Sequence, residues 1–517
     1  MAGKRKSILA GALTLTAAGL ITRLLGFVYR IHMSNTIGAE GMGLYQLIMP
    51  VYSLSWSIAC AGFTTTISKL VAQEHAARAY GNMGRALKQA LVVTGLAALV
   101  VTCVLFFGAD IIGAHIIRDA RTAMPIRILS AAIPFMTAGS CIRGYFIGLR
   151  ETTEPAVGQV LEQCVRMAVI YAVAPLFVPR GLEYACAAAV VGIVAGEFIA
   201  FLFSFGMYLS YKRKRGLTAP PTKPSRAMLT MMLSMALPLT ANRVTGSFLS
   251  AWENTLIPQK LREFGLTQAE AMSAYGRVTG MALPLIFFPS ALLTALSVTL
   301  VPAISEATAT GDHGRIRGTA AKAVRFTNII GLGAAALFLV LPDELGCVIY
   351  NQELGGLLFR LGLLCPFWYV NITLGGILNG LGRQSLLFRN SLISSFMNIA
   401  FVYLFVPHYG IDAFLLGWLL SLLFVTVVSL WEIKKETGAA FGMVNGLWKP
   451  LLSALAAGLA AELLHNHIIA RFFSGYFALA AAGGVLLGLY VLFVMVTGCV
   501  SRAEILALVK TRRKQTA

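Results

Sequence analysis

The residues whose chemistry most needs explaining are charged side chains set inside long apolar stretches. Arg23, Arg30, Arg143, Arg166, Arg243 and Arg277 are the cations, and Glu162, Glu197, Glu253 and Glu462 the acids. An ionised group inside a bilayer costs at least ~3 kcal/mol on insertion scales, so it faces a wet cavity, a partner or an anionic ligand. Guanidinium stays charged and grips phosphate through two parallel hydrogen bonds. Arg23, Arg30, Arg243 and Arg277 are therefore candidates for holding an anionic, phosphate-bearing substrate. Glu162 and Arg166 stand four residues apart and can simply pair along one helix face. Both stay in the candidate set, as does Glu253. Arg143 falls near the end of a predicted span, where a long side chain snorkels to water. Gln159, Gln163, Asn371, Asn379, Asn390 and Asn398 offer amides to sugar hydroxyls or, on the plainer reading, to neighbouring helices.

Other chemistries lack their residues. The eight cysteines are scattered without CxxC or metal-ligand spacing and read as reduced core residues. No GxxxxGK[ST] loop is present for ATP hydrolysis. Nor is there an Asp-x-Asp pair or a His/Asp cluster of the kind a membrane glycosyltransferase uses. The chain is expected not to be an enzyme and to carry no resident cofactor. A coupling ion, H+ or Na+, is compatible with it but has no assignable site. His465 and His467 sit at the end of a predicted span, where pH sensing is one reading and incidental placement the commoner one.

The elements that must position these groups are membrane helices. Of 517 residues 57% are hydrophobic and 12% charged, too few polar side chains to cover a soluble domain. Apolar runs long enough to cross about 30 Å of hydrocarbon recur along the chain. About fourteen spans are predicted, at 8–34, 44–72, 87–109, 123–148, 156–178, 184–211, 228–257, 271–304, 322–341, 355–381, 386–407, 411–433, 449–467 and 474–498. The class is thus all-α integral membrane. The first run has the charge and length of a signal peptide, but Arg23 and Arg30 interrupt it and no small-x-small site precedes them, so it is read as a retained span.

The chain is also written twice. IRGYFIGL in 142–149 is echoed by LGGILNGL in 374–381, and both stretches run on into Leu-Phe-Val-Pro. TRLLGF, with Arg23 and Gly26, has its counterpart in NRVTGSF, with Arg243 and Gly246. TTISKLVA (65–72) aligns with VTLVPAIS (298–305), and GNMGR (81–85) with GDHGR (311–315). Each copy holds six predicted spans. Because six is even, the copies enter from the same side and form a parallel repeat. The expected domains are a six-helix lobe at 1–210, a basic linker at 211–227, a second six-helix lobe at 228–435, two additional spans at 436–500 and a basic tail at 501–517. Within the tail, 502–510 reads as a short amphipathic surface helix. Prolines at 50, 134, 238, 284, 289 and 302 predict kinks within spans. Lys and Arg concentrate in alternate loops, which places both termini in the cytoplasm and accounts for most of the +20 net charge. Nucleic acid is not an expected partner.

At these residues the chain resembles a known family. TRLLGFVYRIHMSNTIGAEGMGLYQL, TTISKLVAQE, GYFIGLRETTEPAVGQVLEQCVR and LVPAISEATATGDHGR resemble the polysaccharide-export branch of the multidrug/oligosaccharidyl-lipid/polysaccharide exporter superfamily. Within that branch the likeness is to the stage V sporulation protein B and lipid II flippase (MurJ-like) group of endospore-forming bacteria. The resemblance implies two six-helix lobes that alternate access, and two extra C-terminal helices as in the flippases. It also implies carriage of an undecaprenyl-diphosphate-linked glycan across the cytoplasmic membrane, the partners being that lipid-linked oligosaccharide diphosphate and membrane lipids, with a monomer expected. Arg23 and Gly26 match the flippases' Arg-x-x-Gly, and Arg277 falls where their eighth helix carries its functional Arg. Their following Arg-Asp is Tyr29-Arg30 here, and an Arg of their second helix is missing from Leu54-Ser55-Trp56. Two alternatives stand beside this reading: an exporter of lipid-linked polysaccharide repeat units, and a cation-coupled multidrug exporter on the same fold. Buried carboxylates facing a cavity would favour the multidrug exporter.

Overall fold

In the computed structural model, residues 2–214, 220, 222–439, 441–472 and 474–499 are described. The predicted surface helix at 502–510 lies outside them. All regular elements among the described residues are helical. Hydrocarbon offers no hydrogen bonds to a backbone, and a helix satisfies its own.

The helices run α1 (Ala2–Ala76), α2 (Tyr80–Ile111), α3 (Ala123–Ser130), α4 (Ala132–Gly148), α5 (Thr153–Phe177), α6 (Leu182–Lys214), α7 (Ser225–Glu263), α8 (Gln268–Gly276), α9 (Leu283–Phe287) and α10 (Ser290–Ala309). They continue as α11 (His313–Val340), α12 (Pro342–Tyr350), α13 (Gly355–Gly380), α14 (Gln384–Leu404), α15 (Val406–Tyr409), α16 (Ile411–Thr437), α17 (Lys449–Leu464), α18 (Ala470–Phe472) and α19 (Gly475–Val496). Among the described residues, 11 helices are long and apolar enough to cross a membrane, or 12 when α3 and α4 count as one bent span.

The count of fourteen is therefore not confirmed. Spans one and two form a single 60-residue stretch, Ala17–Ala76, interrupted only where Gly38 adopts φ 71°. The seventh is a 39-residue helix, α7, that falls outside that apolar set. The eighth is broken into α8, a π-helical turn at Arg277–Ala282, α9 and α10. Pro284 is the second residue of α9 and Pro289 precedes α10, where each lacks an N–H for the preceding turn. Pro134 does the same at the 45° bend between α3 and α4, removing the donor that Ser130 would have received.

By contacts the chain forms two compact units. Unit 1 runs through Gly280 and includes Val402–Gly410; unit 2 comprises Met281–Phe401 and the chain from Ile411 onward. In unit 1, α1 packs on α2 and on α4 to α8. In unit 2, α13 packs on α10, α11 and α16, while α17 and α19 pack together and against α11.

The repeated glycines mark the same packing device in each unit. A Cβ on Gly144 would lie 2.6 Å from the Thr64 carbonyl oxygen, and one on Gly148 equally close to that of Ser68. Gly376 would strike Ser297, and a Cβ on Gly380 would lie 2.8 Å from Ile304. Small residues thus let α4 close on α1 and α13 on α10.

The described part of the linker is clamped within unit 1. The Asn82 side-chain carbonyl accepts from the backbone N–H groups of Thr222 (2.9 Å) and Lys223 (3.1 Å), while its amide donates to Glu74. The Lys223 ammonium closes on the Glu74 carboxylate.

Candidate functional site

Helices α1, α4, α5 and α6 of unit 1 bring ionisable groups together inside the protein. On α5 the four-residue spacing of Glu162 and Arg166 gives the pair its geometry predicts: Arg166 Nη2 donates to Glu162 Oε1 at 2.7 Å. Arg143 does not snorkel. It turns inward from α4, donates to Ser140 Oγ at 3.0 Å and lies 3.9 Å from Glu162 Oε2, with its side chain 19% exposed. The inward turn is favoured because Glu162 offers a charge partner that lipid does not. Glu197 on α6 is buried, accepts a 2.6 Å hydrogen bond from Tyr52 and feels the charges of Glu162, Arg143 and Arg166. Glu154, also buried, accepts from Ser204 and acts on Arg143. Three carboxylates thus surround two guanidiniums in a largely buried region, where paired charges interact strongly and a lone one is costly.

This network continues to one of the candidate substrate residues. Arg143 and Trp56 Nε1 (3.5 Å) both donate to Ser140 Oγ. The Arg243 guanidinium on α7 lies 5.9 Å from the Trp56 ring centroid, a cation–π distance. Ser57 and Ser247, one residue past Trp56 and four past Arg243, join α1 to α7 at 2.7 Å.

Arg23, Arg30, Arg243 and Arg277 are all exposed. Arg23 and Arg30 are seven residues apart on α1, two turns, and so share a face. Between them Gly26 faces α5, where an added Cβ would lie 3.7 Å from the Gln163 amide nitrogen. Gln159 is exposed one turn before Gln163. Glu253 sits ten residues beyond Arg243 on α7, about 15 Å along the axis, so these two do not pair. Glu253 instead acts on Tyr275, whose hydroxyl donates to Asn254 at 2.8 Å.

Arg277 opens the π-helical turn directly after a tight helix contact. A Cβ on Gly276 would strike the Ala39 carbonyl oxygen, and one on Gly43 that of Met272. Gln46 Nε2 donates to the Thr279 carbonyl at 2.8 Å. Beside this contact Arg121 bridges Asp119 (2.7 Å) and Glu40 (2.6 Å). Burial alone would raise the Asp119 carboxyl, but hydrogen bonds from Arg121 and Gln268 outweigh it and hold the group below its ordinary value of 3.8. Single π turns often mark functional sites in helices.

Within unit 2, the Asn371 amide donates to the Thr426 hydroxyl at 2.9 Å and to the Phe367 carbonyl at 3.0 Å. The first bond joins α13 to α16 and the second stays within α13, which accounts for both donors. Asn390 is buried in α14, Asn398 nearly so, and Asn379 exposed. His465 pairs with Glu344 at 2.9 Å. Five cysteines are buried as expected of core residues, while Cys103, Cys164 and Cys347 are exposed. Among the described residues no cluster of metal-ligating side chains occurs.

Tyr52, Ser140 and Glu154 were not anticipated. A serine and a tyrosine in an apolar run carry no signal of their own. A glutamate in the first turn of a helix reads as an exposed dipole partner rather than a buried acid.

Comparison with known proteins follows the fold. The polysaccharide biosynthesis protein family matches residues 8–308. The chain is 30% identical over 440 residues to stage V sporulation protein B of Bacillus subtilis (strain 168), covering 83% of this chain and 84% of that protein. It is 24% identical over 500 residues to the lipid II flippase MurJ of the same strain, covering 88% of each. The solved structure of lipid II flippase MurJ in an inward closed conformation shares its fold, with a TM-score of 0.71 at 14% identity over 94% of this chain and 98% of that one.

Proposed function

We propose, for a chain that belongs to the polysaccharide biosynthesis protein family, that it is a flippase for an undecaprenyl-diphosphate-linked glycan. Lipid II, or a related cell-wall or spore-cortex precursor, is the cargo we favour. The observation that carries this reading is the exposed Arg243 stacked on Trp56 and coupled through Ser140 to a buried ion network. A guanidinium held on an aromatic face keeps its hydrogen-bonding edge for an anion. Arg23, Arg30 and Arg277 supply further exposed guanidiniums for a diphosphate. The two sequence repeats act as the moving lobes, 1–210 and 228–435, with the prenyl tail left in the bilayer. Both termini face the cytoplasm of an endospore-forming bacterium, and the protein works as a monomer. No ATP-binding loop is present, so membrane potential or an H+ or Na+ gradient supplies the driving force.

The test is rescue of cells depleted of their lipid II flippase, read as leaflet accessibility of the precursor. Rescue by wild type, lost in Arg23→Ala and Arg243→Ala at equal membrane abundance, supports the reading. No rescue by wild type means that lipid II is not the cargo, and leaves the repeat-unit exporter. A cation-coupled multidrug exporter keeps one supporting observation, the buried carboxylate of Glu197 beside the half-buried one of Glu162. Extrusion of cationic dyes by the wild type, abolished in Glu197→Gln, would decide for it.

A further inference from the structure

Unit 2 forms an open cavity of about 870 Å³ between α11, α13, α16 and the start of α17. Its levels follow from the packing. Gly362 meets Phe338 and Gly331 meets Tyr369, so α11 and α13 run antiparallel along it. Asn371 bonds Thr426, and Arg383 pairs with Glu436, so α16 runs parallel to α13. Leu339 and Leu363 line one end, with Leu332, Phe367 and Leu430 along the shaft.

Lys322 lies six residues before Asn328 on α11, and Lys434 eight residues beyond Thr426 on α16. That is about 9 and 12 Å along the two axes in the same direction. Lys322 and Lys434 therefore share the opposite end, with Arg325 one turn inside. Among the described residues no acidic side chain lines the cavity. The remaining wall comes from the additional C-terminal segment, through Met443, Leu447 and Leu451. Asn328 Nδ2 ties that segment to α11 by donating to the Gly446 carbonyl at 2.7 Å.

A shaft of apolar side chains with cations at one end is shaped like one kind of molecule. We propose that the cavity binds an anionic glycerophospholipid of the surrounding bilayer. Its phosphate rests on Lys322 and Lys434, and an acyl chain lies along Leu332, Phe367 and Leu430. Basic pockets between membrane helices take such headgroups, and lysines suit them as point charges rather than as bidentate forks. The volume is within the range of small-molecule sites. The lipid would join the additional helices to the repeat that precedes them. None of these residues belongs to the proposed cargo set.

The experiment uses the full-length protein, delipidated in a neutral detergent, with phosphatidylglycerol or phosphatidylcholine added. Retained lipid is read by native mass spectrometry and stabilisation by thermal unfolding. Phosphatidylglycerol should be retained and raise the unfolding temperature, and phosphatidylcholine should do neither. Lys322→Gln with Lys434→Gln, both at exposed positions, should weaken phosphatidylglycerol binding about thirtyfold. Leu363→Trp should weaken it with the charges intact. Equal binding of the two lipids, or unchanged binding in the lysine double variant, overturns the proposal. So does displacement by inorganic phosphate alone, which would mean a free-phosphate site, or competition by undecaprenyl diphosphate, which would mean a cargo site. The assay contains no transport step, so its failure leaves the Arg23 and Arg243 reading standing.

Discussion

The two copies of the repeat agree in backbone and differ in charge. Gly181 and Gly410 both take positive φ, at 118° and 62°, and each is followed by a long helix, α6 or α16. Sixteen residues on, the first copy has Glu197 and the second Thr426. Glu197 accepts from Tyr52 beside the charges of Arg143, Arg166 and Glu162. Thr426 receives only the neutral Asn371 amide. Nearby in unit 2 Thr327 and Thr373 bond at 2.6 Å, again without charge. Glu162 and Arg166 on α5 answer to a stretch of α14 made of Asn390, Ser391, Ser394, Ser395 and Asn398. Duplication preserved the helix packing, and among the described residues the ion network lies in the first copy. Such a network adds little net stability over a well-packed apolar core, so its presence in one copy points to use rather than to support.

The comparison can be broken most forcefully at Glu162. Glu162→Ala leaves Arg166 and Arg143 without their nearest carboxylate, and loss of one buried partner costs about 3–5 kcal/mol. Thermal unfolding in detergent should show a large drop; a drop no larger than that of an Asn371 variant would mean the network is solvated. Next come the shared glycines. Gly144→Ala should cost about 1–3 kcal/mol, because its Cβ meets a backbone oxygen at 2.6 Å. Gly376→Ala should cost less, because once the Ser297 hydroxyl turns aside the nearest backbone atom, the Ser297 carbonyl oxygen, stands at 2.9 Å rather than 2.6 Å. Equal losses would remove that distinction. Asn371→Leu in the neutral copy should cost only about 0.6–2 kcal/mol, the scale of one interhelical hydrogen bond.

The smallest effect belongs to Asp119. Its carboxyl is held below the ordinary value of 3.8, so its contribution is full above about pH 4 and is lost as pH falls through the lower, folded value. Acid unfolding of Asp119→Asn should lack that component. A superimposable acid profile in the variant would show that the contact with Arg121 contributes nothing.

Much of the fold was legible because apolar length and the repeated glycines are local signals. Gly144, Gly148, Gly376 and Gly380 stand out in sequence and prove to be points of close helix approach. The break between the first two spans was legible as the gap at 35–43, but its narrowing to the single residue Gly38, with helix on both sides, was not. α7 was read as a span on its hydrophobic stretches, although its polar residues keep it out of the apolar set. In the candidate site the i, i+4 spacing foretold the Glu162–Arg166 pair. The inward turn of Arg143 depended on Glu162 of the next helix, and no spacing within α4 carried it.

The clamp made by Asn82 bears on how the molecule could be handled. Because Thr222 and Lys223 are gripped through their main chain by a residue of α2, the start of α7 is registered by the fold and not by the covalent tether. A polypeptide divided upstream of Pro220 would retain the information to reunite its halves, and a reporter spliced there would ride on the molecule without displacing α7.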